Sequence, residues 1–301
     1  MQYKSMSVRG LIQALAGVAL FAMTGFAMQV QSAEAVFSEA QPVTLLNSVQ
    51  YDLKSAITGR EYRIFISAPA DAGPDKAYPV LYILDANRDF QMAANFPRGI
   101  IVGIGYPLQD MREFGERRRL ELSPTVDVNR PLPNGDSIKF LSMLEEEIRP
   151  FVEARYNLLA DDQSFYGHSL GGLTVLGHMF RHPDSFNTFI IASPAIWWDN
   201  RVVLADEAAF AARVKNDDLN IRVLLTSAGD EQNCSAAELS SADQTSCLAL
   251  RYVDNASELA ARLQAINPEK LQVTRTVFDG EGHNSSVRAS LGRALSFVMP
   301  E

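Results

Sequence analysis

The sequence predicts an α/β fold in which helices cover both faces of a mostly parallel central sheet. Three observations predict it. Short apolar runs at residues 80–84 and 100–104 are typical of parallel strands that are buried on both faces. From residue 164 onward, strand and helix patterns alternate to the end of the chain. The chain of 301 residues, 47% hydrophobic and 21% charged, is long enough to bury one large core.

The first half of the fold begins with a strand pattern. Residues 61–66 are rich in β-branched and aromatic side chains and follow a turn at Thr58-Gly59. The two apolar runs supply the next strands. Residues 106–136 contain four prolines and little periodicity, so we expect a long loop there, whose arginines could receive an anionic or catecholate substrate. A helix follows from Ser137, its predicted N-cap.

The second half alternates regularly between strands and helices. The predicted strands cover residues 164–166, 188–192, 221–227 and 271–278, and the predicted helices cover 170–181, 206–215, 249–266 and a final segment from about 286. In such a sheet, ligands bind beyond the carboxyl ends of the strands. Residues in the loops that follow strands are therefore the candidates for function.

The first 35 residues have the pattern of a secretory signal peptide. Lys4 and Arg9 precede an apolar run over 11–28, and Ala33-Glu34-Ala35 is a small-x-small cleavage pattern. We expect cleavage after Ala35, or otherwise after Ala33, with an uncleaved anchor as the alternative. The remaining residues, 36–301, then form a single domain that is exported to the periplasm or the medium.

Composition and motifs exclude several kinds of partner. The net charge of -9 argues against a nucleic acid as partner. We find no paired-cysteine cluster, no glycine-rich dinucleotide motif and no P-loop, and therefore expect no metal and no cofactor. We expect no membrane association after the signal is cleaved, and a small-molecule partner.

The two cysteines, Cys234 and Cys247, lie after the predicted signal. Because an exported protein meets an oxidising compartment, a disulfide bond between them is plausible. The alternative is a pair of free thiols.

The candidate nucleophile is Ser169, in the stretch Gly167-His168-Ser169-Leu170-Gly171. The motif Gly-x-Ser-x-Gly is weak by itself, but here it lies between a predicted strand and a predicted helix, where a nucleophile elbow belongs. Gly167 and Gly171 would let the strand and helix approach each other. The alternative is a glycine-rich turn with a structural serine.

A serine nucleophile needs a base, and this arrangement supplies it in the order serine, acid, histidine. His283 stands in the loop directly after the last predicted strand and is the candidate base. Asp230 and Glu231 follow the strand at 221–227. Either carboxylate could accept a hydrogen bond from Nδ1–H of His283 and so fix the imidazole in one tautomer. A serine–histidine pair without an acid is also open.

Two further functions are predicted at the same edge of the sheet. The backbone N–H groups of Leu170 and Asn87 are the candidate oxyanion donors. Because the donor at Asn87 belongs to the main chain, we expect substitution of its side chain to have a mild effect on catalysis. Trp197 and Trp198 follow the strand at 188–192 and could bind an aromatic or acyl part of a substrate. We expect one of the two to anchor its loop in the core.

Three stretches resemble an esterase family related to esterase D (S-formylglutathione hydrolase). They are Tyr78-Pro79-Val80-Leu81-Tyr82-Ile83-Leu84-Asp85, Tyr166-Gly167-His168-Ser169-Leu170-Gly171-Gly172 and Ser193-Pro194-Ala195-Ile196-Trp197-Trp198. Within it, the siderophore esterases that open enterobactin or salmochelin trilactones are the most similar branch. The resemblance covers most of the chain from Thr44.

The resemblance implies an α/β-hydrolase fold and cofactor-free hydrolysis of carboxylic esters by Ser169 and His283. Related mycolyl transferases place the second oxyanion amide two residues after a strand-end aspartate, which matches Asn87. The segment Gly229-Asp230-Glu231-Gln232 is one residue shorter than the usual family pattern, which leaves the acid open. An acyltransferase of the same fold and a non-catalytic binding protein are the alternative functions.

Overall fold

In the computed structural model, which describes residues 44–94, 98–128, 133–234 and 241–299, eight strands form one sheet. The strands are β1 (Ser48–Lys54), β2 (Glu61–Ser67), β3 (Tyr78–Ile83), β4 (Ile100–Gly105), β5 (Leu158–His168), β6 (Thr188–Ala192), β7 (Ile221–Ala228) and β8 (Leu271–Phe278). Their order is β1-β2-β4-β3-β5-β6-β7-β8; β2 runs antiparallel to both of its neighbours, β1 and β4, and the other neighbouring pairs are parallel. The predicted α/β class and its mostly parallel sheet are confirmed.

Helices connect the strands and flank the sheet. They are α1 (Ala86–Ala93), α2 (Met111–Leu122), α3 (Ser137–Met143), α4 (Arg149–Glu153), α5 (Leu170–Arg181), α6 (Glu207–Asn216), α7 (Ser241–Leu250), α8 (Tyr252–Gln264) and α9 (Ser286–Val298). A π turn, Leu144–Ile148, joins α3 to α4. Two 3₁₀ segments, Trp198–Asp206 and Gly229–Gln232, follow β6 and β7.

Both faces of the sheet are buried, as the continuous apolar runs predict. On β3, Val80 and Tyr82 belong to the larger core, while Leu81 and Ile83 belong to a second core on the opposite face. This alternation is the two-residue period of a strand. The second core includes apolar residues of α1 and α9, and the larger core includes those of α3, α5, α6 and α8. Parallel strands packed on both faces hold the carboxyl edge of the sheet in place.

The prediction of one long loop over residues 106–136 is wrong, because this segment contains α2. The helix is polar and buries Phe114, Glu121 and Leu122, so it carries little hydrophobic periodicity. The signal that could have located it is Asp110, whose side chain accepts hydrogen bonds from the N–H groups of Arg112 and Glu113. An aspartate at this position is a favoured N-cap.

The predicted signal peptide, residues 1–35, lies outside the described residues. Among the residues that the structure does describe, no helix has the length and apolar character needed to cross a membrane.

Candidate active site

Ser169 lies in the sharp turn between β5 and α5. Its backbone has φ 62° and ψ -118°, a conformation that only a well-supported turn imposes on a residue with a side chain. A Cβ at Gly167 would lie 2.3 Å from the carbonyl oxygen of Gly171, so glycine is required there. A Cβ at Gly171 itself would meet its nearest atom at 3.5 Å, an ordinary contact, so the expected need for glycine holds at Gly167 and not at Gly171.

Three side chains meet beside this turn. The Ser169 hydroxyl is 2.9 Å from Nε2 of His283, in the loop after β8. On the other side of the ring, Nδ1 of His283 is 2.5 Å from Oε1 of Glu231. Because a carboxylate only accepts, the proton between them lies on Nδ1 and leaves Nε2 free to accept from the serine. The arrangement has the geometry of a nucleophile, a base and the acid that orients the base.

The structure brings Glu231, and not Asp230, to the histidine. The Glu231 side chain is fully buried. Its second oxygen, Oε2, accepts the N–H of Ala228 at 2.8 Å, which fixes its direction. Successive side chains of a 3₁₀ turn point about 120° apart, so only one of two neighbours can face His283. Asp230 instead has its N–H bonded to the carbonyl oxygen of Glu281, and the residue is exposed to solvent.

Two aromatic rings enclose the ring of His283. The ring centroid of His168 lies 4.7 Å from it, and that of Tyr252, the first residue of α8, lies 4.6 Å from it. Burial lowers the pKa of His168 well below its usual value, and the nearby His283, Arg88 and Arg118 lower it further. His168 is therefore neutral and adds no charge beside the base. Sequence reasoning missed Tyr252, because nothing in its spacing connects it with Ser169.

The two predicted oxyanion donors lie at the starts of neighbouring helices. Leu170 begins α5 after β5, and Asn87 is the second residue of α1 after β3; the two strands pair in parallel. N–H groups in the first turn of a helix have no partner within that helix, so both can serve a ligand. The turn into α1 is made by Asp85, whose backbone is left-handed at φ 57°.

Arg118 of α2 links the two strand ends that carry these donors. Its Nε and Nη2 lie 2.6 Å and 2.8 Å from the two carboxylate oxygens of Asp85, and Nη2 also donates to the carbonyl oxygen of His168 at 3.0 Å. Arg117 similarly pairs with Glu121 at 2.6 Å. The hypothesis that arginines of 106–136 receive an anionic substrate therefore fails for these two, whose guanidinium groups are engaged within the fold.

The two tryptophans have different environments. Trp198 is 1% exposed and packs in the larger core, so its predicted role in substrate binding is wrong and it anchors the loop instead. Trp197 is half-buried, and its ring centroid lies 6.2 Å from that of Tyr252. The side chain of Trp197 therefore remains beside the candidate site. Cys234 and Cys247 form a disulfide bond, as predicted.

Metal-ligating side chains come together at one place among the described residues. One nitrogen or oxygen each of His168, Glu231 and His283 lie within 4.8 Å of one another. A metal ion there would break both hydrogen bonds of His283. His178 and His182 have the four-residue spacing of helical metal ligands, but Nε2 of His178 lies 3.0 Å from a carboxylate oxygen of Glu145. Neither group has the open coordination of a catalytic metal site.

Comparison with known proteins decides the family of this chain. The family described as "Putative esterase" matches residues 55–270, which is more than half of the chain. The chain belongs to the esterase family. Membership places it among hydrolases that act on esters.

Curated relatives of this esterase-family chain include two siderophore esterases. It is 30% identical over 269 residues to the ferri-bacillibactin esterase BesA of Bacillus subtilis, a match that covers 82% of this chain and 88% of the relative. It is 33% identical over 285 residues to the siderophore triacetylfusarinine C esterase of Aspergillus fumigatus, covering 86% and 96%.

Solved structures match over a similar length. The BES protein of Bacillus cereus has a TM-score of 0.77 at 30% identity, over 89% of this chain and all of that one. The siderophore hydrolase EstA of Aspergillus nidulans has a TM-score of 0.78 at 26% identity, over 88% and 98%. The enterobactin and salmochelin hydrolase IroE shares the fold at 20% identity, with a TM-score of 0.60. The predicted α/β-hydrolase fold is confirmed.

In this esterase-family chain, the side chain of Asn87 makes structural hydrogen bonds of its own, in addition to the main-chain N–H that is the predicted oxyanion donor. Its Nδ2 donates to the carbonyl oxygen of Tyr106, and its Oδ1 accepts the N–H of Tyr106, each at 2.7 Å. These bonds hold the first turn of α1 against the end of β4. The expectation that a change at Asn87 is mild therefore conflicts with the contacts of its side chain.

We expect Asn87→Ala to lower kcat/KM for p-nitrophenyl acetate roughly 10-fold and the free energy of unfolding by about 1–3 kcal/mol. Both effects follow because the two hydrogen bonds between the Asn87 side chain and the backbone of Tyr106 are lost. Steady-state kinetics and thermal unfolding check both effects. Gln91→Ala, an exposed change on the same helix, is the control and should match the wild type. Wild-type kinetics for Asn87→Ala would show that this turn needs no such support.

Proposed function

We propose that this chain is a serine esterase in which Ser169 is the nucleophile, His283 the base and Glu231 the orienting acid. The observation that carries the proposal is the continuous chain of hydrogen bonds, 2.9 Å from Ser169 to His283 and 2.5 Å from His283 to Glu231. It starts at a strained turn at the carboxyl edge of the sheet, where this class of fold binds ligands.

The geometry supports a two-step reaction. Nε2 of His283 takes the proton of Ser169 while Oγ bonds to the ester carbonyl carbon, and the carbonyl electron pair moves to the oxygen. The N–H groups of Leu170 and Asn87 would stabilise this oxyanion. The intermediate collapses, and the leaving alcohol takes the proton from His283. Water then repeats the sequence on the acyl-serine and releases the acid.

We further propose a siderophore ester as the substrate class. The proposal is supported by the two siderophore esterases named above, which are at least 30% identical over more than four fifths of this chain. The half-buried Trp197, whose ring packs against Tyr252 beside His283, supplies aromatic surface near the site, which suits an aromatic acyl group. A trilactone with three catechol amides has both the ester bonds and the aromatic groups.

A substrate panel tests the substrate class. We expect the protein to convert an enterobactin-type trilactone, iron-free or ferric, into linear catechol-amide products that mass spectrometry detects, at kcat/KM at least about tenfold above that for p-nitrophenyl acetate. Triacetylfusarinine C and a feruloyl ester complete the panel. Rapid hydrolysis of the simple esters with every siderophore left intact would contradict the substrate class without affecting the esterase proposal.

We also propose that the chain is exported. Its support is the leader pattern of residues 1–35 together with the Cys234–Cys247 disulfide bond, which persists in oxidising compartments. Export would place the enzyme in the periplasm or the medium, where siderophores arrive.

A further inference from the structure

The imidazole of His283 is positioned by contacts from outside its own loop. Nδ1 donates to Glu231 at 2.5 Å, and the ring centroids of His168 and Tyr252 lie 4.7 Å and 4.6 Å from that of the imidazole. His168 belongs to the elbow itself. Glu231 and Tyr252 come from two further segments, the 3₁₀ turn Gly229–Gln232 and the start of α8. The position of the base therefore depends on how these two segments are held together.

One side chain, that of Gln232, joins the two segments. Gln232 is the last residue of the 3₁₀ turn and the direct neighbour of the proposed acid. Its Oε1 accepts the N–H groups of Val253 and Asp254, each at 3.1 Å. Its Nε2 donates to Oδ2 of Asp254 at 2.8 Å. Both ends of the amide are thus bonded to the first turn of α8.

The start of α8 takes its cap from this distant residue. The N–H groups at the second and third positions of a helix have no partner inside it, and the side chain of the N-cap residue normally accepts them. In α8 the N-cap is Arg251, whose guanidinium group has no acceptor and makes no capping bond. The backbone of Arg251 is left-handed at φ 46°, a conformation that persists only where the surrounding structure imposes it. Gln232 supplies the missing acceptor.

Tyr252 stands between the left-handed residue and the two capped N–H groups. It is the first residue of α8 and is 8% exposed. Because the backbone is fixed on both sides of it, its ring is held against the ring of His283. The disulfide bond ties the chain just after the 3₁₀ turn to α7, the helix that precedes α8. The acid turn and the start of α8 are therefore one connected unit.

We propose that Gln232 is a positioning residue for His283, which joins the turn that carries the acid to the helix that carries Tyr252. The inference rests on the proposed serine esterase function. Gln232 acts through Glu231 on Nδ1 of the imidazole, and through Tyr252 on the imidazole ring. Its amide thereby keeps Nε2 directed at Ser169.

This role affects both halves of the reaction. Nε2 of His283 takes the proton of Ser169 during acylation and the proton of water during deacylation. Displacing a catalytic group by about 1 Å can cost about 10²-fold in rate. Since both steps slow together, kcat falls, while KM, which depends on the ratio of the two rates, changes little. This pattern differs from a loss of substrate binding, which raises KM.

Gln232→Met tests the proposal because methionine has nearly the length of glutamine and has no amide. We expect kcat for p-nitrophenyl acetate to fall roughly 10- to 100-fold, with KM changing by less than about threefold. Rates are taken per site that a fluorophosphonate labels at completion, so unfolded protein is not counted. The matched control is Gln264→Met at the last residue of α8, where Nε2 donates to the carbonyl oxygen of Val273 at 3.1 Å. The control should keep wild-type rates.

A rescue experiment separates positioning from a general loss of stability. Gln232→Glu keeps an acceptor for the two N–H groups but sets a carboxylate against that of Asp254, so it should be slow. Adding Asp254→Asn restores a donor and an acceptor in the reverse direction, and kcat should return to within about threefold of the wild type. Failure of this rescue, or wild-type kcat in Gln232→Met, would overturn the inference.

Proton NMR provides a readout that a merely structural role would not move. The hydrogen bond from Nδ1 of His283 to Glu231 should give a signal far downfield in the wild type and in Gln264→Met. In Gln232→Met the signal should broaden or vanish at a temperature where circular dichroism shows a folded protein. A slow Gln232→Met variant with this signal unchanged would show that the amide does not act on the base.

Ser169→Ala in the same kinetic assays distinguishes the two levels of failure. If Ser169→Ala is inactive while Gln232→Met matches the wild type, the proposed function stands and the role of Gln232 is rejected. If Ser169→Ala remains active, the proposed function fails and the inference fails with it.

Discussion

Ser169→Ala lowers kcat/KM for p-nitrophenyl acetate by at least about 10³-fold, because no other group can form the acyl intermediate at this turn. The methyl group of alanine cannot donate to Nε2 of His283, which lies 2.9 Å from the serine oxygen. The residual rate reflects binding and oxyanion stabilisation acting on water. We expect this loss of kcat/KM to be the largest of any single substitution in this chain. Ser169→Ala removes the nucleophile itself, whereas other substitutions at the site only weaken its activation.

The fold of the variant should be intact. Alanine has the same backbone cost at φ 62° as serine, and the N–H of residue 169 still donates to the carbonyl oxygen of Ala192 at 2.9 Å. Thermal unfolding should therefore be nearly unchanged. Ser296→Ala, an exposed serine on α9, is the matched control and should retain full activity. A fluorophosphonate should label the wild type at Ser169 and leave Ser169→Ala unlabelled. Equal turnover by the two proteins would refute the nucleophile.

The sequence predicted the parallel part of the sheet well, and the reason is physical. Strands that are buried on both faces must be apolar throughout, so β3 and β4 are visible as short apolar runs. The helix α2 could not be found in the same way, because its outer residues are charged and its inward contacts are largely ion pairs. The predicted helix over 249–266 corresponds to α8, which begins after Arg251, where φ is 46°. The helix before it, α7, was not predicted.

Site residues could be predicted where the order of strands along the chain determines their position. They could not be predicted where only the direction of a side chain decides. Ser169 and His283 follow from their places after β5 and β8, since carboxyl ends of parallel strands share one edge. Asp230 and Glu231 are adjacent, and only the 3₁₀ turn that contains them decides which faces inward. Tyr252 lies beyond the disulfide-bonded loop, so its approach to Ser169 depends on tertiary packing that no local pattern records.

Glu231→Gln lowers kcat/KM by roughly 10²- to 10⁴-fold, the second-largest expected effect. Glutamine has nearly the shape of glutamate, so the loop should keep its position. Its oxygen can still accept the N–H of Ala228, as Oε2 of Glu231 does at 2.8 Å. Its amide nitrogen then faces Nδ1 of His283 and donates to it. The imidazole is thereby held in the tautomer that carries its proton on Nε2, which cannot take the proton of Ser169.

Asp230→Asn is the matched control, because it makes the same change of charge one residue away. Asp230 does not contact His283, so its loss should change kcat/KM by less than about threefold. Steady-state kinetics of the two variants, with thermal unfolding to show that both fold, discriminate between three arrangements. A large loss for Glu231→Gln alone supports the triad. A large loss for Asp230→Asn alone would move the acid to that residue. Small losses for both would mean that Ser169 and His283 act as a pair, with Glu231 serving only to bind the N–H of Ala228.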